Sequence, residues 1–400
     1  MVRGLSVACW LSASALGCGT ARGPSAAEAV PDAAATGVAG ADTGVEAGPP
    51  FDAALCAKLR GLAQTYVEAQ HAPGVAFRVE LKDGATCAGA AGLADLGAST
   101  KMTETARFRI GSITKTFVAA VALQLVDEKA LALTDTVAKW LPTFPRGAVT
   151  IEQLLNHTSG LVDYLFDPSI QSTQARPHTP DELLAVAARV QSGATSPGVW
   201  KYSNTNYLLL GRILEAAGGT PWHVQVRKRL LDRPDLGLAS TFVYGFEGGP
   251  GGFVRGYQRS GAVWEDVTEL THPTVMDAAG CMVSSMPDLG RWWRALNLGQ
   301  VFSASSLDAM RQHSVALASG ERWGLGVESQ DGTPLGVLYG HGGGFGGYAN
   351  QMQYFAGPND TLTVAVNASI PNGDPLELVD PMTQVHHGIR PQLWQAILGL

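Results

Sequence analysis

Charge is scarce in this 400-residue chain. Only 16% of its residues are Asp, Glu, Lys or Arg, and 28 Lys+Arg stand against 35 Asp+Glu for a net charge of −7. No basic run stands out, so nucleic acid is not an expected partner. The nine histidines are scattered. None falls in an H-E-x-x-H or a Cys/His cluster, so neither a metal nor another cofactor is expected. Beyond the N-terminus no segment is long and apolar enough to cross a bilayer. What is abundant is apolar: 46% hydrophobic residues over this length bury a large core, in one big domain or two.

The N-terminus supplies an address. Met1-Val2-Arg3 sets one positive charge before an apolar run over 5–16, too short to span a membrane, so residues 1–18 read as an export signal. The segment ends Ala15-Leu16-Gly17-Cys18. A cysteine there resembles a bacterial lipobox with Cys18 as the lipidated first residue, although Ala15 stands where Leu is usual. Plain secretion is the other reading. Residues 19–50 are Ala, Gly, Pro, Thr and acidic residues without aromatics or periodicity, which makes them a flexible tether. The expected location is the cell envelope, through a lipid anchor, or outside the cell.

From residue 51 the pattern is regular. A helix over 51–70 is followed by strands over 75–81 and 86–93, joined at the Asp83-Gly84 turn. With the helix antiparallel on this hairpin, Cys56 falls near Cys87, and in an exported protein the pair reads as a disulfide or as two buried thiols. Cys281 is left as a small core residue. Thr150–Gln153 and Thr179–Glu182 are capping boxes that open helices, and the region of about 115–270 reads as helical. The glycine-rich stretch over 247–252 reads as a mobile loop. Strands then follow over 324–328, 336–339, 348–355 and 362–367, with a turn over 357–360 and a closing helix over 393–398. The two strand-rich ends are expected to pair in one antiparallel sheet.

Chemistry centres on Gly111-Ser112-Ile113-Thr114-Lys115. Before Ser112 the chain reads as extended; after it, Phe117, Val121 and Leu125 recur at helical spacing. Ser112 therefore sits in the first turn of a helix, where free N–H groups and the dipole favour developing negative charge. Lys115, three residues on, shares its face, as a serine nucleophile activated by an amine requires. Tyr202-Ser203-Asn204 offers a phenol that acts as a base if a cation such as Lys115 lowers its pKa, and an amide for the lysine or a substrate carbonyl. Tyr348-Ala349-Asn350 matches the same Y-x-N string. Tyr202 is preferred because it sits in a turn, whereas Tyr348 starts a regular strand. His341-Gly342-Gly343-Gly344 ends a strand and precedes another, so the Gly342-x-Gly344-x-x-Gly347 spacing is not a dinucleotide site. Glycines along a strand edge admit a second backbone, and the Gly344 N–H paired with the Ser112 N–H makes an oxyanion hole, at ~3 kcal/mol per donor.

These motifs, with Leu155-Asn156-His157-Thr158-Ser159-Gly160-Leu161 between them, resemble the serine β-lactamase / penicillin-binding-protein superfamily. The narrower likeness is to the branch of class C β-lactamases, D-alanyl-D-alanine carboxypeptidases, D-aminopeptidases and related esterases. The resemblance implies an α+β fold of the β-lactamase/transpeptidase type: a five-stranded antiparallel sheet flanked by helices (51–112 and 275–400) and an all-helical part (113–274), with the site in the cleft between them. It implies Ser112 as the acylated nucleophile and Lys115 and Tyr202 sharing the proton work, the base among them left open. Asn204, His341 and Gly343 would bind substrate, His341 at its carboxylate end, and residues 157–161 would be structural. In β-lactamases the third motif is usually Lys-Thr-Gly; His341-Gly342-Gly343 has a switchable charge and no hydroxyl, which points away from efficient β-lactam hydrolysis. The expected activity is a D-alanyl-D-alanine carboxypeptidase-like hydrolase or a related amidase or esterase. A β-lactamase, or a penicillin-binding sensor that acylates and stalls, are the alternatives. The expected partner is a small peptide, ester or β-lactam substrate.

Overall fold

The computed structural model describes residues 50–249, 252–261, 263–317, 320–333 and 336–356, with the backbone of Thr361–Ala365. The export signal, Cys18, the tether through residue 49, the 357–360 turn and the closing helix over 393–398 lie outside these residues. These described residues belong to one compact unit.

Asp52 caps the first helix, Ala53–Gln70, by accepting the Leu55 N–H at 2.6 Å. Its apolar face buries Leu59, Ala63 and Tyr66 against Val75, Phe77 and Val79 of the next strand, Gly74–Leu81. Gly84 adopts the left-handed conformation (φ 88°) that turns this strand into its partner, Thr86–Asp95. A disulfide joins Cys56 to Cys87, stapling the helix to the hairpin. Cys281 is a buried free thiol.

The two strand-rich regions meet in one antiparallel sheet. Phe77 pairs with Ala365, and Thr361–Ala365 also pairs with Tyr348–Ala356. That strand in turn pairs along its whole length with Gly336–Phe345. The sheet holds nine strands rather than five, because Thr100–Lys101 lengthens one edge and Glu328–Thr333, Arg322–Trp323 and Val315–Ala316 the other. Residues 324–327 are a turn, not the strand expected there: Gly326 is left-handed (φ 83°), and the Gly324 N–H donates to the Val327 carbonyl at 2.7 Å.

Between these regions the chain is mostly helical. Thr114–Asp127 has nearly every residue buried, as its apolar run from Phe117 to Leu123 requires. Both capping boxes form, at Thr150 and Thr179, and open the helices Ile151–Leu155 and Pro180–Arg189. Asn204–Gly218 and Met286–Asn297 complete the helices that matter for the site. The middle region is not purely helical as expected. Phe242–Val243 pairs with Met282–Ser285, which also pairs with Arg107–Arg109. Tyr257–Ser260 and Val263–Asp266 form a hairpin around left-handed Gly261 (φ 61°). Glu247, expected to begin a mobile loop, is anchored: it forms an ion pair with Arg227 and accepts the Val243 N–H at 2.6 Å.

Candidate active site

Ser112 stands at the entry to the helix Thr114–Asp127, in the short 3-10 turn Gly111–Ile113. Gly111 is left-handed (φ 52°), and a Cβ there would lie 2.7 Å from the Gly344 carbonyl oxygen. Gly343 faces the same turn so tightly that a Cβ would strike the Ile110 carbonyl. The glycine run is thus what lets the strand Gly336–Phe345 lie against the serine turn. Ser112 and Gly344 are half-buried while Gly111, Ile113 and Gly343 are buried, so the two open positions sit side by side on a closed wall.

Lys115 is buried, and its Nζ donates three hydrogen bonds: to Ser112 Oγ at 2.9 Å, to Asn204 Oδ1 at 2.8 Å and to the Ala279 carbonyl at 2.6 Å. None of these acceptors carries a full charge. Burial therefore dominates, and it lowers the lysine to about 7, partly opposed by the Asp163 carboxylate. The Tyr202 hydroxyl donates to the same Ser112 Oγ at 2.8 Å. One serine oxygen is thus held between an amine from its own helix and a phenol from a distant segment. Burial holds the Tyr202 phenol well above its usual range, only partly offset by the bond to Ser112. Of the two roles left open for the pair, burial favours a protonated phenol beside a lysine of lowered pKa over a phenolate held by the ammonium.

Asn204 begins the helix Asn204–Gly218 rather than lying in a loop. Its Nδ2 and its backbone N–H both donate to Asp163 Oδ2, at 2.8 and 2.9 Å, which fixes its Oδ1 toward Lys115. His157 stacks on Tyr202, with ring centroids 4.3 Å apart, while its Nδ1 accepts the Ser203 N–H at 3.2 Å. Asp163, the Ala279 carbonyl and Trp323, which meets Tyr202, His157 and His341 edge-on, escaped the sequence reading. A carbonyl leaves no trace in residue type, and Asp163 and Trp323 belong to no repeated string.

His341 is fully buried, with Nδ1 against the Gly342 carbonyl at 2.5 Å. Burial, with the charge of nearby Lys115, pulls it down to about 3, so the expected switchable charge is absent near neutrality. The second Y-x-N is elsewhere. The Tyr348 hydroxyl donates to the Val254 carbonyl at 2.6 Å, and Asn350 Nδ2 to the Arg109 and Gly343 carbonyls at 2.9 and 3.2 Å. No cluster of His, Cys, Asp and Glu able to hold a metal exists among the described residues.

Known proteins share this arrangement of sequence and fold. A family model described as Beta-lactamase matches residues 59–383. Penicillin-binding protein 4* of Bacillus subtilis (strain 168) is 30% identical over 65% of this chain and 60% of its own length, so the match spans less than two thirds of that relative. A D-stereospecific amidohydrolase from Streptomyces sp. is 31% identical, with 81% of this chain and 97% of that one superposed at a TM-score of 0.69. The D-amino acid amidase from Ochrobactrum anthropi SV3 is 26% identical over 86% of this chain and 99% of its own, with a TM-score of 0.75.

Proposed function

Because this chain belongs to the beta-lactamase family, we propose that it is an acyl-enzyme serine hydrolase of small amides, esters or peptides, with D-amino-acid amides as the leading substrate class. The single observation that carries this reading is Ser112 Oγ held by Lys115 Nζ at 2.9 Å and by the Tyr202 hydroxyl at 2.8 Å. Lys115, near 7, is the base: a good share of it is neutral at physiological pH, and it takes the proton as Oγ attacks the substrate carbonyl. The developing oxyanion sits between the N–H groups of Ser112 and Gly344. Tyr202, protonated and already pointing at Oγ, supplies a proton to the leaving nitrogen or oxygen. Water then attacks the ester, with the same lysine and phenol in reversed roles.

The third motif supports one substrate class over the others. A leaving group that ends in a carboxylate needs a cation, and His341 is neutral while Gly342 has no side chain. The subsite is instead walled by Trp323, His341 and Tyr202, whose rings meet edge-on. An uncharged leaving group therefore suits it better than the terminal carboxylate of a D-alanyl-D-alanine peptide or of a β-lactam. The names of the amidohydrolase and the amidase support the D-amino-acid amide class. The test is turnover of D-phenylalanine amide, a p-nitrophenyl ester, nitrocefin and a D-Ala-D-Ala peptide, with mass spectrometry of the protein after a fluorophosphonate. The expected result is amide and ester turnover with the label on Ser112, lost in Ser112→Ala. Labelling that persists in that variant overturns the reading.

The proposed site of action is the cell envelope, through lipidation of Cys18. The Cys56–Cys87 disulfide suits an oxidising compartment. Cys18→Ser is expected to move the protein from the membrane fraction to the soluble one, and unchanged fractionation removes the anchor.

A further inference from the structure

Two of the three acceptors that hold Lys115 come from one helix and from a turn packed on it. Asn204 opens the helix Asn204–Gly218, and Gly211, seven residues on, lies along the same stripe. Gly211 presses on the turn Asp277–Ala279, whose last carbonyl receives the lysine. A Cβ at Gly211 would stand 2.9 Å from Ala278 Cβ, its tightest contact, with Trp222 Cδ1 at 3.4 Å and Asp277 Oδ1 at 3.5 Å. Beside it Arg212 Nη2 reaches both Asp277 oxygens, at 3.1 and 3.3 Å. Asp277 is fully buried, sits in the left-handed region (φ 44°) and accepts the Ala278 N–H at 2.6 Å. An aspartate held in this conformation inside a core needs a firm partner, and the catalytic scheme above makes no use of the pair.

We propose that the Arg212–Asp277 pair is a positioning device: it clamps the turn to the helix, so that the Ala279 carbonyl and Asn204 reach Lys115 together and keep the amine aimed at Ser112. Neither residue touches the reacting atoms. Unclamping the turn withdraws one acceptor from the ammonium form, which shifts the lysine further toward the neutral amine and loosens its aim. The other groups facing Lys115 are Asp163, His157, His341, Tyr202 and Tyr207. None of them is altered in the variants below, and Gly211→Ala changes no charge at all, so a shift of the lysine's titration in that variant reports on the turn.

The experiment measures the rate of Ser112 labelling by a fluorophosphonate against pH in the full chain, in two variants. Asp277→Asn keeps a side chain that tolerates the left-handed backbone but removes the pairing charge; Gly211→Ala pushes the turn from the helix without changing any charge. Both are expected to label about 10-fold more slowly, with the acid limb about one pH unit below that of the unaltered protein. A purely structural role would lower thermal stability and leave the limb in place. If Asp277→Asn does not fold, Gly211→Ala decides alone. An unaltered protein that takes no label defeats the hydrolase reading on which this inference rests. One that labels while the variants keep its rate and limb defeats the inference itself.

Discussion

Two copies of one short string, Tyr202-Ser203-Asn204 and Tyr348-Ala349-Asn350, do opposite jobs. In the first the phenol and the amide reach the side chains of Ser112 and Lys115. In the second both groups are spent on backbone carbonyls, at Val254, Arg109 and Gly343. The difference lies in the host element. A residue just before a helix projects its side chain from a bend, whereas Tyr348 and Asn350 lie in a strand paired with the glycine strand and hold the backbone packed around it. The second string still serves the first: by gripping Gly343 and Arg109, Asn350 keeps the glycine strand against the serine turn.

The comparison breaks most cleanly at the phenols. Tyr202→Phe is expected to cut the acylation rate by about 10²- to 10⁴-fold with little change in melting temperature. Tyr348→Phe is expected to cost about 1–3 kcal/mol of stability, by orphaning the buried Val254 carbonyl, and to leave turnover by the folded protein near normal. Rapid-quench kinetics and thermal denaturation on the two variants separate the roles; equal effects on both would erase the contrast. The amides sharpen it. Asn204→Ala should slow acylation by about 10- to 100-fold, because Lys115 and Asp163 both lose their shared partner. Asn350→Ala should act first on stability.

The pH profile tests the lysine directly. Burial disfavours its ammonium form, so the neutral base is populated from about pH 7 upward instead of near 10.5. Acylation is expected to fall below pH 7, about tenfold per unit, and to level off above it. An acid limb near 10 would return the role of base to another group. The smallest effect on chemistry is expected far from the cleft. Cys56→Ser opens a 31-residue loop and should cost about 3 kcal/mol of stability while leaving turnover at 25 °C unchanged.

The sequence was most legible where local rules and global position agree. Thr150 and Thr179 announce their helices because a capping box satisfies backbone donors within four residues. Ser112 and Lys115 were readable because three residues of helix put them on one face whatever surrounds them. What stayed hidden depends on contacts distant in the chain. The neutrality of His341 comes from burial, which no local string encodes. The strands inside the helical stretch are two to four residues long, too short for alternation to register. The turn at 324–327 hides behind Gly324 and Gly326, which look like strand glycines until their partners are known.

The pairing of Phe77 with Ala365 has a consequence for biosynthesis. The strand Gly74–Leu81 is synthesised well before its second neighbour, Thr361–Ala365. Until then an apolar edge waits without hydrogen bonds, open to a foreign strand. A chain truncated before Thr361 should therefore aggregate rather than merely lose activity, which light scattering of the truncated protein would read.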